Sequence, residues 1–446
     1  MRSMDASAHF RGKKITVMGL GLLGGVGDIA YLAESGADVI ATDLKNEAEL
    51  EPSLDVLKRF QNIRYTIGRH DLADFRDRDL IIKAPSTPID SVYIAEARKN
   101  DIPITMWSAL FAQFAREAGA TIIGVTGTRG KSTVTAMIAS ILRAEGKKVV
   151  EGGNVQGTSV LTQLANVSQD TVAVLELDSW KLQGWGEAKI SPNIGVFTTF
   201  YPDHLNYYAE NMDAYLADKA NIFLFQKPED TLILGKQCAP TVIEKYGDKI
   251  ESKTIVVDEL KLPDTWILSI PGMHNRYNAS LALAAARALD IPDDVSRRAL
   301  ETFSGVPGRL ELIAEKNGVK IYNDTTSTTP EATNVAITAL SDVGRGTSYI
   351  ILIMGGTDKG LDMSALLAKL PELKRVILLA GSGTERIRGE LPDSPVYNAL
   401  ASAVEDAFAH AEAGNIILFS PAFTSFGMFK NEFDRGDQFN ALVQKL

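Results

Sequence analysis

The chain has 446 residues, 45% of them hydrophobic and 23% charged, with 56 acidic against 46 basic side chains and a formal net charge of −10. That length suggests about three domains, the mix is that of a soluble globular protein, and the acidic balance argues against nonspecific nucleic-acid binding. A single cysteine, Cys238, excludes a disulfide framework and a cysteine-rich metal cluster.

The longest apolar runs are about six residues, too short to cross a bilayer, so no membrane insertion is expected. The first thirteen residues hold Asp5, His9 and Lys13 and no apolar run, and the stretch after them is cut by Gly19, Gly21 and Gly24. No secretory signal is read there, and a cytoplasmic monomer is expected.

Short β-rich runs alternate with helical stretches throughout, the pattern of parallel sheets covered by helices. A first group holds Ile15-Thr16-Val17-Met18, Asp38-Val39-Ile40-Ala41 and Leu80-Ile81-Ile82. A second begins at Thr121-Ile122-Ile123-Gly124-Val125 and includes Val172-Ala173-Val174-Leu175 and Asn193-Ile194-Gly195-Val196-Phe197. A third begins near Val319-Lys320-Ile321-Tyr322 and holds the runs starting at Ile350, Val376 and Ile416. One sheet with so many strands would be unusually large, so each group reads as its own sheet. The expectation is an α/β protein of three domains, 1–114, 115–308 and 309–446, each on a mainly parallel sheet. Gly305-Val306-Pro307-Gly308 breaks the pattern at the second boundary.

Gly19-Leu20-Gly21-Leu22-Leu23-Gly24 follows the first strand, and Asp43 ends the second. This dinucleotide-type fingerprint suits NAD or a nucleotide sugar, and equally a plain tight β–α turn. Gly124-Val125-Thr126-Gly127-Thr128-Arg129-Gly130-Lys131-Ser132 follows the strand at Thr121, and Thr133 continues it into a helix. Val134, Met137, Ile138, Ile141 and Leu142 mark one helix face, and Gly146 is placed to end it. Gly127 and Gly130 let backbone N–H groups approach an anion, Lys131 reaches phosphates, and Ser132 can hold Mg²⁺. Val125 stands where the strict phosphate-loop pattern has glycine, so this is a variant loop.

Glu176 closes the strand Val172–Leu175, where an acid beside a phosphate loop is placed for Mg²⁺. His204 lies in Tyr201-Pro202-Asp203-His204, and Lys219 follows on a helix expected over Met212–Phe225. By residue type alone the first reads as a structural histidine and the second as a solvated helix lysine. Asn275 and Asn278 are three apart, on one face of a first helical turn, and offer the donor and acceptor that adenine requires. Capping by Asn275 explains it as well. In the third region Asn323-Asp324, Gly355-Gly356-Thr357-Asp358-Lys359-Gly360 and Ser420-Pro421-Ala422-Phe423-Thr424-Ser425 each follow a strand, where ligands of open α/β sheets gather.

Together these motifs resemble the Mur ligase family across nearly the whole chain. The first glycine loop, without a long extension before it, and the ending Lys430-Asn431-Glu432-Phe433-Asp434-Arg435-Gly436 favour the branch that adds D-glutamate to UDP-N-acetylmuramoyl-L-alanine. The resemblance implies a Rossmann-like UDP-substrate domain, a P-loop ATPase-like centre and a mobile Rossmann-like C-terminal domain. It implies ATP and Mg²⁺ as cofactors, an acyl-phosphate intermediate, and a place in peptidoglycan precursor synthesis.

By resemblance, Gly127, Thr128, Gly130, Lys131, Ser132, Thr133, Asn275, Asn278, Arg309 and Asp324 are ATP residues. Gly19, Gly21, Leu22, Leu23, Asp43 and Asn154 face the UDP substrate, with Asn154 near the reacting group. Ser132, Glu176 and His204 resemble metal ligands, joined by Lys219 if carbamylated. Thr328, Lys359 and Ser425 resemble residues holding the glutamate.

The chain also departs from the family pattern. The usual serine pair after the metal acid is Asp178-Ser179, and the following Phe-Gln is Trp180-Lys181. The usual GNIG is Gly153-Asn154-Val155-Gln156, a common lysine is Thr326, and a frequent loop threonine is Leu23. These positions surround the muramoyl substrate and the amino-acid pocket and leave the ATP motifs intact. Rival readings are a ligase adding L-glutamate or another amino acid, a folylpolyglutamate synthetase, an NAD-dependent dehydrogenase built on the first glycine loop, and a nucleotide-regulated binding protein.

Overall fold

The computed structural model describes residues 6–21, 25–85, 87–88, 90–152, 160–204, 207–341 and 346–446. It divides into two compact units, residues 1–262 with 278–299, and 263–277 with 300–446. Among the described residues there are three sheets, as the strand grouping predicts. Among the described residues no helix is long and apolar enough to cross a membrane.

The first unit carries two sheets. One is built from β1 (Lys14–Met18), β2 (Asp38–Asp43), β3 (Ile63–Ile67), β4 (Leu80–Ile82) and β5 (Ile104–Thr105), in the order β3-β2-β1-β4-β5. All its pairings are parallel. The other has β6 (Thr121–Thr126), β7 (Lys148–Gly152), β8 (Thr171–Glu176), β9 (Ile194–Phe197), β10 (Thr231–Gly235) and β11 (Lys253–Val257), ordered β11-β10-β9-β6-β8-β7 and again all parallel. Strands covered on both faces need apolar side chains on both, and β8 is buried along its whole length. One large core runs from Phe10 and Ile15 through Ile122 and Leu175 to Val242, and a smaller cluster gathers Met18, Phe75, Ile81 and Ile94. Each fully buried Ile, Leu or Phe there contributes about 1.5–3 kcal/mol.

The second unit holds β12 (Glu311–Lys316), β13 (Val319–Asn323), β14 (Ile350–Gly355), β15 (Arg375–Leu379), β16 (Val396–Tyr397) and β17 (Ile416–Phe419), ordered β12-β13-β17-β14-β15-β16. Among the described strand pairings of this sheet, only β12 against β13 is antiparallel. Two apolar clusters, around Leu352 and around Ile351, cover its two faces.

Order reverses beside β1 in the first sheet, beside β6 in the second and beside β17 in the third. Crevices open at the carboxyl ends of strands at such switch points, and the glycine loops follow β1 and β6. The helix Lys131–Ala144 buries Val134, Met137, Ile138, Ile141 and Leu142 as the spacing predicts. It stops before Gly146, at φ +78°. One expected boundary is corrected: the helix from Met212 ends at Ala220 rather than Phe225. Asn221 turns its side-chain amide back to the carbonyl of Asp218 at 3.1 Å, a local bond that competes with helical continuation.

Candidate functional site

The loop after β6 is shaped by two glycines. Gly127 has φ +140°, and a Cβ there would lie 2.0 Å from Thr198 Oγ1. Gly130, at φ +86°, begins the helix, and a Cβ there would lie 2.6 Å from Asn278 Oδ1. Glycine therefore lets the end of β9 close on the loop, and it brings Asn278 beside the phosphate-loop residues. The rest of the loop is bonded to the end of β9. The Thr128 N–H donates to the Thr199 carbonyl at 2.7 Å, and the Arg129 N–H to Thr199 Oγ1 at 2.9 Å. Thr128 Oγ1 accepts from the Tyr201 N–H at 3.0 Å.

Lys131 lies over this loop, its ammonium donating to the carbonyls of Gly127 and Thr128, each at 3.1 Å. Ser132 and Thr133 occupy the first helical turn, where backbone N–H groups and the helix dipole favour an anion. Asn275, three residues before Asn278, is buried and turns its amide to the Pro271 carbonyl at 2.7 Å.

Lys219 is 1% exposed, so the solvated-lysine reading is excluded. Its ammonium donates to the Gly127 carbonyl at 2.9 Å and sits 4.8 Å from the centre of the Tyr215 ring. Burial first, and then the neighbouring Lys131, drive its pKa well below the usual lysine range, against the pull of Asp178, Asp203 and Asp218. The His204 ring packs at a tilt against Trp180, centroids 4.5 Å apart, and the residue adopts φ +53°, an uncommon backbone state for a side-chain-bearing residue. Burial, and then Lys219 and Lys131, hold its ring below the usual histidine pKa despite Asp203 and Asp178, so it is neutral at pH 7. Glu176, at the end of β8, is buried in register with Val125 of β6.

Among the described residues no group of three or more His, Cys, Asp or Glu is gathered for a metal. The candidate donors Ser132, Glu176 and His204 supply one hydroxyl, one carboxylate and one imidazole. That suits Mg²⁺, which keeps several waters and takes few protein ligands alongside phosphate.

The departure Asp178-Ser179-Trp180-Lys181 has a structural logic that the sequence did not reveal. Asp178 caps the helix Ser179–Glu187 by accepting from the Lys181 N–H at 2.8 Å, and its other oxygen takes the Lys181 ammonium at 3.1 Å. Burial raises the Asp178 pKa, but Lys181 and then Lys131 outweigh it and hold the carboxyl ionised. The carboxylate and the lysine are thus one compensated pair.

In the first sheet, Asp43 accepts from the Leu20 N–H at 2.8 Å and from the Lys45 N–H at 2.9 Å. It ties the glycine loop carrying Gly19 and Gly21 to the end of β2. Leu22, Leu23, Asn154 and Gln156 lie outside the described residues.

In the second unit, the turn Val306–Arg309 is closed by the Arg309 N–H on the Val306 carbonyl at 2.9 Å. It is pinned by Thr326, whose N–H and hydroxyl both donate to the Gly308 carbonyl, at 3.0 and 2.9 Å. Asp324 is buried and accepts from the Leu310 N–H at 2.9 Å and from the Ser420 hydroxyl at 2.7 Å. Burial pushes its carboxyl up to about 6, against the lowering effects of those bonds and of Arg309. Lys359 donates to Thr328 Oγ1 at 3.2 Å, and Thr357 and Thr424 exchange backbone bonds at 3.0 and 3.1 Å. The loops after β13, β14 and β17, with Thr328, Lys359 and Ser425, therefore meet at one end of the third sheet.

The chain is similar to known proteins over nearly its whole length. Residues 125–266 match the Mur ligase middle domain, and residues 308–423 the Mur ligase, glutamate ligase domain. The chain is 36% identical to a UDP-N-acetylmuramoylalanine–D-glutamate ligase of Roseiflexus sp. (strain RS-1), over 97% of this chain and 98% of that relative. It is likewise 36% identical to the ligase of that name from Borreliella afzelii (strain PKo), over 96% and 97%. In fold it is similar to a UDP-N-acetylmuramate-alanine ligase from Thermotoga maritima, with TM-score 0.60, 19% identity and 97% and 99% coverage. A MurF ligase from Thermotoga maritima in complex with ADP gives TM-score 0.57 at 16% identity, covering 99% of this chain and 97% of that one.

Proposed function

The chain belongs to the Mur ligase family, and from that premise we propose that it is the ATP-dependent ligase joining D-glutamate to UDP-N-acetylmuramoyl-L-alanine, a step of peptidoglycan precursor synthesis. The observation that carries the reading is near-full-length identity to ligases of that name, together with a phosphate loop bearing Lys131 and an Asn278 packed against it.

A carboxylate is a poor electrophile, and amide formation needs it activated. The substrate carboxylate attacks the γ-phosphorus of ATP, ADP leaves, and an acyl phosphate forms; the glutamate amine then attacks the acyl carbon, and phosphate leaves as the C–N bond forms. Lys131 and the loop N–H groups stabilise charge on the transferring phosphoryl group. Ser132, Glu176 and His204 are the residues that would hold Mg²⁺, which when bound shields phosphate from the approaching carboxylate. Burial lowers the pKa of Lys219 and so favours its neutral amine form, which adds to CO₂ with loss of one proton to give a carbamate. That places an anion able to orient a metal beside the phosphate loop. Asn275, Asn278, Arg309 and Asp324 hold the nucleotide, Gly19, Gly21, Leu22, Leu23, Asp43 and Asn154 the UDP substrate, and Thr328, Lys359 and Ser425 the glutamate. The three sheets form three working parts, with boundaries near 115 and 308.

The test is ADP release and product mass with ATP, UDP-N-acetylmuramoyl-L-alanine and each glutamate enantiomer. Turnover is expected with D-glutamate and to vanish in Lys131→Ala. Preference for L-glutamate, or no ADP release with any combination, sinks the assignment.

A further inference from the structure

Lys359 sits on the loop that follows β14, and one residue outside that loop fixes its shape. The Asp358 N–H donates to Ser382 Oγ at 3.1 Å, and Asp358 Oδ1 accepts from the Gly360 N–H at 3.1 Å, which closes a turn around Lys359. That same carboxylate receives Arg386 Nη1 at 2.9 Å on one oxygen and 3.2 Å on the other. Arg386 lies on the short helix Ser382–Ile387 after β15, and the helix is docked on the loop by the Gly383 N–H donating to the Gly356 carbonyl at 2.9 Å. The turn, the carboxylate and the guanidinium are one bonded unit, and its product is the position of the Lys359 ammonium, 3.2 Å from Thr328 Oγ1.

We propose that Arg386 is a positioning residue for the amino-acid substrate, acting through Asp358 on Lys359. The proposal rests on the glutamate-ligase reading and adds to it a residue that no motif identifies. Two effects follow from the pairing. Arg386 orients the carboxylate that closes the turn, and it neutralises a negative charge beside the lysine that receives an anionic substrate. Without it, Asp358 repels the carboxylates of glutamate and competes for Lys359.

The experiment measures KM for D-glutamate, ATP and UDP-N-acetylmuramoyl-L-alanine in the full-length wild type, Arg386→Ala, and the double variant Arg386→Ala with Asp358→Asn, with a melting curve for each. In Arg386→Ala the KM for glutamate rises about three- to fivefold, as expected for a partly exposed charge pair, while the other two KM values stay within about twofold. In the double variant the glutamate KM falls back toward wild type, because the introduced amide oxygen still accepts the Gly360 N–H and carries no charge. A glutamate KM in Arg386→Ala within twofold of wild type overturns the proposal. So does an equal rise in all three KM values, or a double variant no better than the single one. A wild type that consumes no glutamate overturns the ligase reading instead, and is seen before any variant is compared.

Discussion

Lys219 shows how much one burial value changes a reading. As a sequence position it is a lysine fifteen residues after His204 that by residue type alone reads as solvated. In the fold it is buried on the phosphate loop with its pKa driven down. Lys219→Ala is expected to lose about 10²–10³ in rate, and a short carboxylic acid in solution restores part of it by filling the vacated space. Restoration by neither acetate nor propionate, in a variant that still melts cooperatively, would falsify the carbamate and leave Lys219 as a structural donor to Gly127. Asp324 is a second such residue. Its carboxyl is raised from the ordinary 3.8 to about 6, so the folded state binds its proton more tightly than the unfolded chain. The stability it contributes is complete below about pH 3.8 and is lost as pH rises through 6, by roughly 3 kcal/mol at most. Asp324→Asn removes that slope. Melting temperatures of the variant and wild type that run parallel between pH 4 and 6 contradict the assignment.

At the scale of elements, the phosphate loop is a strand end, a turn and a helix start that work only at van der Waals contact. Gly127→Ala sets a methyl 2.0 Å from Thr198 Oγ1 in a left-handed backbone region. Destabilisation of about 3 kcal/mol or more and loss of nucleotide binding are expected. Gly146→Ala is the control: its φ is also positive, at +78°, but nothing lies within 4 Å, so the cost is about 1–2 kcal/mol and activity remains. Urea unfolding of both variants checks this, and equal midpoints would mean that the contact with β9 is not what demands glycine. The departure at Asp178 belongs to this scale too. The acid caps a helix and neutralises Lys181, so the two changes from the family pattern read as one substitution.

At the scale of the whole molecule, the first glycine loop left NAD and a nucleotide sugar both open. The proposed function puts the UDP substrate on that sheet. UDP-N-acetylmuramoyl-L-alanine at about a hundred times its Kd should stabilise the native state by about 2.7 kcal/mol, whereas NAD leaves the melting curve unchanged. A shift with NAD and none with the UDP substrate reverses the choice. The three mainly parallel sheets, the phosphate loop and the motif residues at strand ends were legible in the linear chain, because each depends on contiguous residues: a run that buries two faces, or glycines spaced to bare successive N–H groups. The helix end at Ala220 was not legible, since the Asn221 side chain decides it against an apolar periodicity that continues.

The sequence alone also determined the family, through motifs spread over nearly the whole chain. Only the tertiary structure decided which of these groups are buried and against what. Lys219 meets a carbonyl 92 residues away, Ser420 reaches Asp324 across 96 residues, and Arg386 reaches Asp358 across 28. Desolvation and charge compensation depend on the segments that fold alongside, and no periodicity within one segment records its neighbours.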